Sequence, residues 1–399
     1  MPKKQSLRRK LDDKMLIDFQ PIASMNSAVT NVFNKASRGS RISPEEATIL
    51  FKEAPLMELG DLANQIRRKR HPDDEPVTFV VDRNVNYTNA CTAACRFCAF
   101  AYWPGDKRVY LLPYEEIQNK IQELVDANGT QLLLQGGHHP DLGIEYYEDL
   151  FRRIRSDFPQ ITLHSLSPSE IDHITQVSNI SLKDTIARLK EAGWQSLPGG
   201  GAEILVSRVR NILSPLKTSS ERWLEIMKEA HQQGIHGSAT MMFGHVETYA
   251  ERVEHMSRLR DLQDETGGFR AFISWSFQPG DTPLAHDPRM KDGEGSGDGL
   301  DYLRTQAISR IFLDNFENIQ ASWVTQGFGI GQMALHFGAN DFGGTMMEEN
   351  VVSAAGIVHS KSNTDELVYQ IQKAGFKAAQ RDTFYNIIRH FDQAQPVAA

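Results

Sequence analysis

Cysteine is nearly missing from this 399-residue chain: Cys91, Cys95 and Cys98 are the only three. An odd, clustered count excludes the disulfide framework of a small secreted protein and points to reduced thiols in a cytosol. Long apolar runs are missing too. No stretch approaches the roughly 18 residues of a spanning helix, so no membrane association is expected. The N-terminal "MPKKQSLRRKLDDKMLIDF" lacks an apolar core and a cleavage site, so no signal peptide is expected. Positive charge is not in excess: 43 basic against 51 acidic residues leave −8, which argues against a general nucleic-acid binder. No repeat of solenoid period is visible, and no G-x-G-x-x-G follows the first predicted strand. What remains, 40% hydrophobic and 24% charged, is the composition of a soluble globular protein. A cytoplasmic protein is expected.

The pattern along the chain is one of alternation. Ser43 and Pro44 in "ISPEEATILF" predict a helix N-terminus, with acids in the first turn. From residue 77, short β-branched runs alternate with amphipathic helical stretches. Strands are expected at 77–82, 130–136, 161–167, 202–206, 237–244, 269–277 and 318–325. Helices are expected from 113 and at 144–157, 182–193, 219–233, 248–265, 300–317 and 363–376. Repeated βα units of this number predict an α/β fold, a TIM-type (β/α) barrel complete or nearly so, preceded by a helical extension. The division expected is 1–75 for the extension, 76–382 for the barrel and 383–399 for a tail. Residues 286–301, rich in Gly and Asp, read as a flexible insertion. Trp275 and Phe277 alternate in their strand as inward barrel residues do.

Glycine-rich and polar signals follow the predicted strands, where barrel chemistry sits. The strongest is "NYTNACTAACRFCAF" (86–100), a C-x3-C-x2-C spacing. Three thiolates on one loop can take three corners of an iron–sulfur cubane, which normally has four cysteine ligands. With no fourth cysteine, one iron stays open to a small molecule. The competing readings are a zinc site completed by His71 or His138, or three structural thiols.

The spacing, with Phe97 before the last cysteine, resembles the signature of the radical S-adenosylmethionine enzymes. That resemblance implies a [4Fe–4S] cluster on Cys91, Cys95 and Cys98, with S-adenosylmethionine on the open iron. Reductive cleavage then yields a 5′-deoxyadenosyl radical, and an external one-electron reductant such as flavodoxin or ferredoxin is implied as partner. Gly136 and Gly137 stand where many members have Gly-Gly-Glu, with His138 replacing the acid. "TMMFGHVE" (240–247) fits the element that flanks adenine, which makes Met242 and Gly244 cofactor candidates. Ser167 and Glu203, at presumed strand ends, are further candidates for cofactor contacts.

Longer segments, among them "LLLQGGHHPDLGIEYYEDL", "MMFGHVETYAERVEH" and "FGANDFGGTMMEENVVSAAG", are similar to the menaquinone-pathway subgroup of that family. Within it, "LLLQGG", "ASWVTQG" and "TMMEENVVSAAG" most resemble the cyclic dehypoxanthinyl futalosine synthases. The implied reaction removes the ribose C4′ hydrogen of dehypoxanthine futalosine and adds the carbon radical to the substrate's benzoate ring. The sister reaction, aminofutalosine synthase chemistry, and a non-catalytic zinc or electron-transfer protein are the alternatives. The cyclisation needs a base, for which His245 and Glu203 are the candidates. The substrate carboxylate suggests an arginine, and Asn340 and Asp341 in "GANDFGG" suggest a lid or substrate contacts.

Overall fold

The computed structural model describes residues 25–357 and 360–391. Its strands are β1 (Val77–Val80), β2 (Asp82–Val85), β3 (Gln131–Leu134), β4 (Thr162–Ser165), β5 (Ser196–Leu197) and β6 (His236–Phe243). They continue with β7 (Phe269–Ser276), β8 (Asn318–Gln320), β9 (Asp341–Gly344), β10 (Ala378–Arg381) and β11 (Ile387–Phe391). One sheet holds all eleven, in the order β11-β10-β1-β9-β8-β7-β6-β5-β4-β3-β2. β1 pairs with β9, and β2 pairs with β3. Only Val81 separates β1, third in that order, from β2 at its end, so the sheet curls round until segment 77–85 takes part on both sides of it, with β10 and β11 extending beyond. That segment and β3 to β9 surround a lumen as parallel strands with helices outside, the expected (β/α) barrel.

The inward face follows the pleat. On β7, Ala271, Ile273 and Trp275 line the lumen, while Phe269, Phe272 and Ser274 are buried beneath the helices. Phe277, just beyond the strand, is buried edge-on against His245. The N-terminal extension is part of this body. Ser43 forms the expected capping box with Glu46, with Pro44 at the first helical position. The Arg304 guanidinium donates to the carbonyls of Leu50 and Ala54, tying that helix to the outer layer.

Several elements differ from expectation. Residues 202–206 are not a strand: Glu203 has a φ of 42°, and the buried apolar side chains of Ile204 and Leu205 belong to a loop leading into helix Ser207–Leu213. The barrel strand there is the two-residue β5, too short to show a period. Residues 318–325 divide into β8 and the start of a helix at Trp323. The 286–301 segment is packed rather than free: Asp301 holds Arg252 through two bonds of 2.9 Å, and a Cβ on Gly293 would overlap the His245 carbonyl. The β10–β11 hairpin straddles residue 382, so residues to 391 are part of the sheet. Phe384, in its turn, lies 4.8 Å beneath the guanidinium of Arg270 on β7, on the far side of the ring. The turn therefore crosses the lower opening of the barrel.

Candidate active site

The lumen is a cavity of about 430 Å³, and the three cysteines line it together with Phe97. Their loop follows β2 and is pinned from three sides. Cys91 N–H donates to the Tyr102 carbonyl at 2.9 Å, Thr92 N–H to that of His138 at 3.2 Å, and Arg96 N–H to that of Leu213 at 2.8 Å. The loop after β3 lies directly against it. A Cβ on Gly137 would overlap the Ala90 carbonyl oxygen, and one on Gly136 would stand 2.6 Å from the Tyr87 ring. These two glycines are thus required by close approach of backbone, and both line the cavity.

Burial pushes the Cys95 thiol up to about 12 even though Lys217 pulls it the other way, and burial also raises Cys98. Crowded thiols of this kind lose their protons when a cationic metal centre replaces them. Among the described residues no three His, Cys, Asp or Glu side chains are drawn around a single ion position. Cys91, Cys95 and Cys98 offer three sulfur donors from one loop, all lining the same cavity. That donor set fits a [4Fe–4S] cluster on Cys91, Cys95 and Cys98. His71, by contrast, is held against the Glu317 carbonyl at 3.0 Å, and His138 lines the cavity with its ring stacked 4.9 Å from His173.

Around the thiols, polar groups are interlocked. Glu170 joins two loops: Oε1 accepts from Gly136 N–H at 2.8 Å, and Oε2 from Ser167 N–H and Oγ–H at 2.7 Å each. Ser167 therefore caps a helix as well as lining the cavity. Glu203 faces the lumen with both oxygens engaged, one 3.3 Å from Arg210 and the other 3.0 Å from Lys217. Lys217 carries no motif in the sequence, yet its ammonium sits 5.7 Å from the Phe97 ring. Burial works against its charge, but Cys95 and Glu203 outweigh that and hold its pKa above the usual range.

Other candidates lie outside the cavity wall. His245 is 2% exposed; its Nε2 is 2.9 Å from the Met242 carbonyl and its Nδ1 is 2.8 Å from Glu247. Met242 is buried beneath the wall, and Gly244 N–H donates to Glu247 at 2.7 Å. Asn340 and Asp341 do not form a lid. The Asn340 Oδ1 accepts from Arg310 at 2.6 Å and from Ile319 N–H at 2.9 Å, while its Nδ2 donates to Asn318. Asp341 opens β9 and holds Arg381 through bonds of 2.6 and 3.1 Å. Asn340→Ala removes the acceptor of the buried Arg310 Nη2, while Nε and Nη1 keep the Gly338 and Glu317 carbonyls, and is expected to destabilise the fold by about 1–3 kcal/mol, read as a lowered thermal midpoint.

Deeper in the lumen, sequence reasoning missed His164 and Arg270. His164 Nδ1 lies 2.8 Å from Ser196 Oγ, whose own hydrogen goes to the His236 carbonyl at 3.0 Å. A hydroxyl that donates to a carbonyl must accept from the ring, so Nδ1 carries the proton and Nε2 keeps its lone pair. Burial, with Arg381 adding to it, pushes His164 down to about 3, so the ring is neutral.

Comparison with known proteins accords with this arrangement. Residues 85–259 match the model of the radical SAM superfamily, and residues 266–394 match that of the CofH/MqnC C-terminal region. The cyclic dehypoxanthine futalosine synthase of Streptomyces coelicolor is 46% identical over 91% of this chain and 90% of its own. That of Halalkalibacterium halodurans is 47% identical over 92% and 97%. The aminodeoxyfutalosine synthase of Thermus thermophilus is 37% identical over 91% and 97%. Among solved structures, methylornithine synthase (PylB) superposes with a TM-score of 0.66 at 17% identity, covering 87% of this chain and 97% of its own. The chain belongs to the radical SAM superfamily and, within it, to the CofH/MqnC group that contains the cyclic dehypoxanthine futalosine synthases.

Proposed function

We propose that the protein converts dehypoxanthine futalosine to its cyclic product in menaquinone biosynthesis, in the cytoplasm, with flavodoxin or ferredoxin as electron donor. The observation that carries this reading is the 46–47% identity to cyclic dehypoxanthine futalosine synthases across more than nine-tenths of the chain, against 37% to the aminodeoxyfutalosine enzyme. Among the described residues no helix is long and apolar enough to cross a membrane.

When bound, the cluster and S-adenosylmethionine supply a 5′-deoxyadenosyl radical that removes the first hydrogen atom from the substrate. The chain's own residues do the rest. Cys91, Cys95 and Cys98, which line the lumen, would hold the cluster. Lys217, kept charged by Glu203 beside it, places positive charge next to the thiols. Ile273, Trp275, Leu133 and Trp323 give the lumen an apolar wall that excludes water and presses the ribose towards the ring. His164 Nε2 receives the ring proton that must leave for aromaticity to return. A neutral, weakly basic imidazole suffices there, because the adduct becomes strongly acidic once its extra electron has passed to a one-electron acceptor, a role the oxidised cluster would fill when bound.

The test is anaerobic turnover of dehypoxanthine futalosine with S-adenosylmethionine and a reductant, followed by mass analysis. The expected result is a product lighter than the substrate by two hydrogens, together with free 5′-deoxyadenosine. A product that incorporates the adenosyl group would instead establish the sister reaction.

A further inference from the structure

The lower end of the lumen is lined by Arg270 and Thr383, each of which carries a buried polar atom with no protein partner. Among the described residues, three cations line the cavity: Lys217, Arg381 and Arg270. Lys217 is paired with Glu203, and Arg381 with Asp341. Among the described residues, Arg270 has no carboxylate partner. Its Nε is buried without an acceptor, and among the described residues its side chain has one polar neighbour, His236 Nδ1, 3.4 Å from Nη2. The nearest acid, Asp382, is occupied by its own turn, accepting from Phe384 N–H at 2.8 Å and Asn386 N–H at 2.9 Å. Buried donors are almost always satisfied in folded proteins, so a vacant guanidinium facing a cavity calls for a partner from outside the chain.

A second feature explains how Arg270 comes to face the lumen at all. The register of β6 and β7 shifts here, Gly237 opposing Phe269 while Ser238 opposes Ala271. Arg270 is the extra residue of this β-bulge, a device that re-aims a side chain. Phe269 stays in the outer core and Ala271 keeps its inward place. Thr383 lies beside it in the β10–β11 turn, adjacent to the Phe384 ring that stacks under the guanidinium. Thr383 also lines the cavity, and its Oγ1 is buried without a partner.

We propose that the barrel floor is a carboxylate-binding subsite in which the Arg270 guanidinium and the Thr383 hydroxyl take the carboxylate of an aryl carboxylic acid. Its identification with the benzoate end of the substrate rests on the functional reading above. A carboxylate at Arg270 draws the substrate down the lumen, away from the cysteines at the other end of the strands. A planar guanidinium also fixes the aryl plane through paired bonds, which a lysine cannot do.

The test compares dehypoxanthine futalosine with its carboxamide on wild type, Arg270→Met, Arg270→Lys and Thr383→Val. Arg270→Met is expected to raise KM for the acid about 100-fold while changing that for the carboxamide about threefold or less. Arg270→Lys recovers about a tenth of the lost affinity, and Thr383→Val costs the acid about tenfold. Equal losses for acid and carboxamide, or an acid KM within about threefold of wild type in Arg270→Met, overturn the subsite. If the wild-type enzyme cyclises nothing, the functional reading fails separately. The subsite then stands if 3-acylbenzoate binds wild type more tightly than Arg270→Met by calorimetry, and falls if the two bind alike.

Discussion

Cys95→Ala protein is expected to emerge from anaerobic reconstitution pale and low in iron, with turnover reduced about 1,000-fold or more. Losing a group that merely orients a metal ligand already costs 10- to 100-fold, and a ligand itself costs more. The reason lies in the loop. Its three thiols lie within eight residues, the backbone is pinned by Tyr102, His138 and Leu213, and no other cysteine exists to replace the missing one. Burial raises both Cys95 and Cys98, and the Lys217 charge opposes it at each. The measurement is electron paramagnetic resonance of the reduced protein with and without S-adenosylmethionine, alongside iron content. A reduced [4Fe–4S] signal in Cys95→Ala that still shifts on adding the cofactor, with product formed near the wild-type rate, would sink the assignment. Zinc retained at one equivalent by the colourless wild-type protein would favour the zinc reading instead.

The cysteine cluster was legible because its information is local: spacing alone puts three sulfurs on one loop. The barrel was legible for a related reason, since β-branched runs such as 130–136 and 269–277 alternate with helical periods over many residues. What escaped was short or depended on closure. β5 has two residues, and β9 reads "DFGG", which resembles a loop in every local respect. The polarity of Asn340 and Asp341 suggested a lid because buried polar residues cannot be told from exposed ones until their partners are known. Those partners, Arg310 and Arg381, are 30 and 40 residues away. His245 was a candidate from its place after β6, yet its ring turns back to the Met242 carbonyl, outside the cavity wall. Lys217, His164 and Arg270 come from elements far apart in sequence, and only the curl of the sheet brings them around one lumen.

His164→Ala is expected to uncouple the two halves of the reaction. Hydrogen-atom removal from the substrate needs no base, so 5′-deoxyadenosine should still form in a substrate-dependent way. Cyclised product should fall about 10²- to 10⁴-fold, the usual contribution of a positioned proton acceptor. The remaining flux should appear as uncyclised or reduced nucleoside, distinguishable by mass. Ser196→Ala tests the orientation separately: without its oxygen the Nδ1–H loses its acceptor, the tautomer is no longer fixed, and a loss of about tenfold is expected. The pH dependence carries its own sign. Because burial pushes His164 down to about 3, lowering the pH protonates Nε2 only near that value, and the step it serves should show no inflection at an ordinary histidine pKa of about 6.5. An inflection near 6.5 that disappears in His164→Ala would contradict the buried, neutral ring. Cyclisation by His164→Ala at the wild-type rate would remove His164 from the mechanism and leave Asp82, a cavity-lining carboxylate whose pKa burial raises to about 6, as the next acceptor to replace.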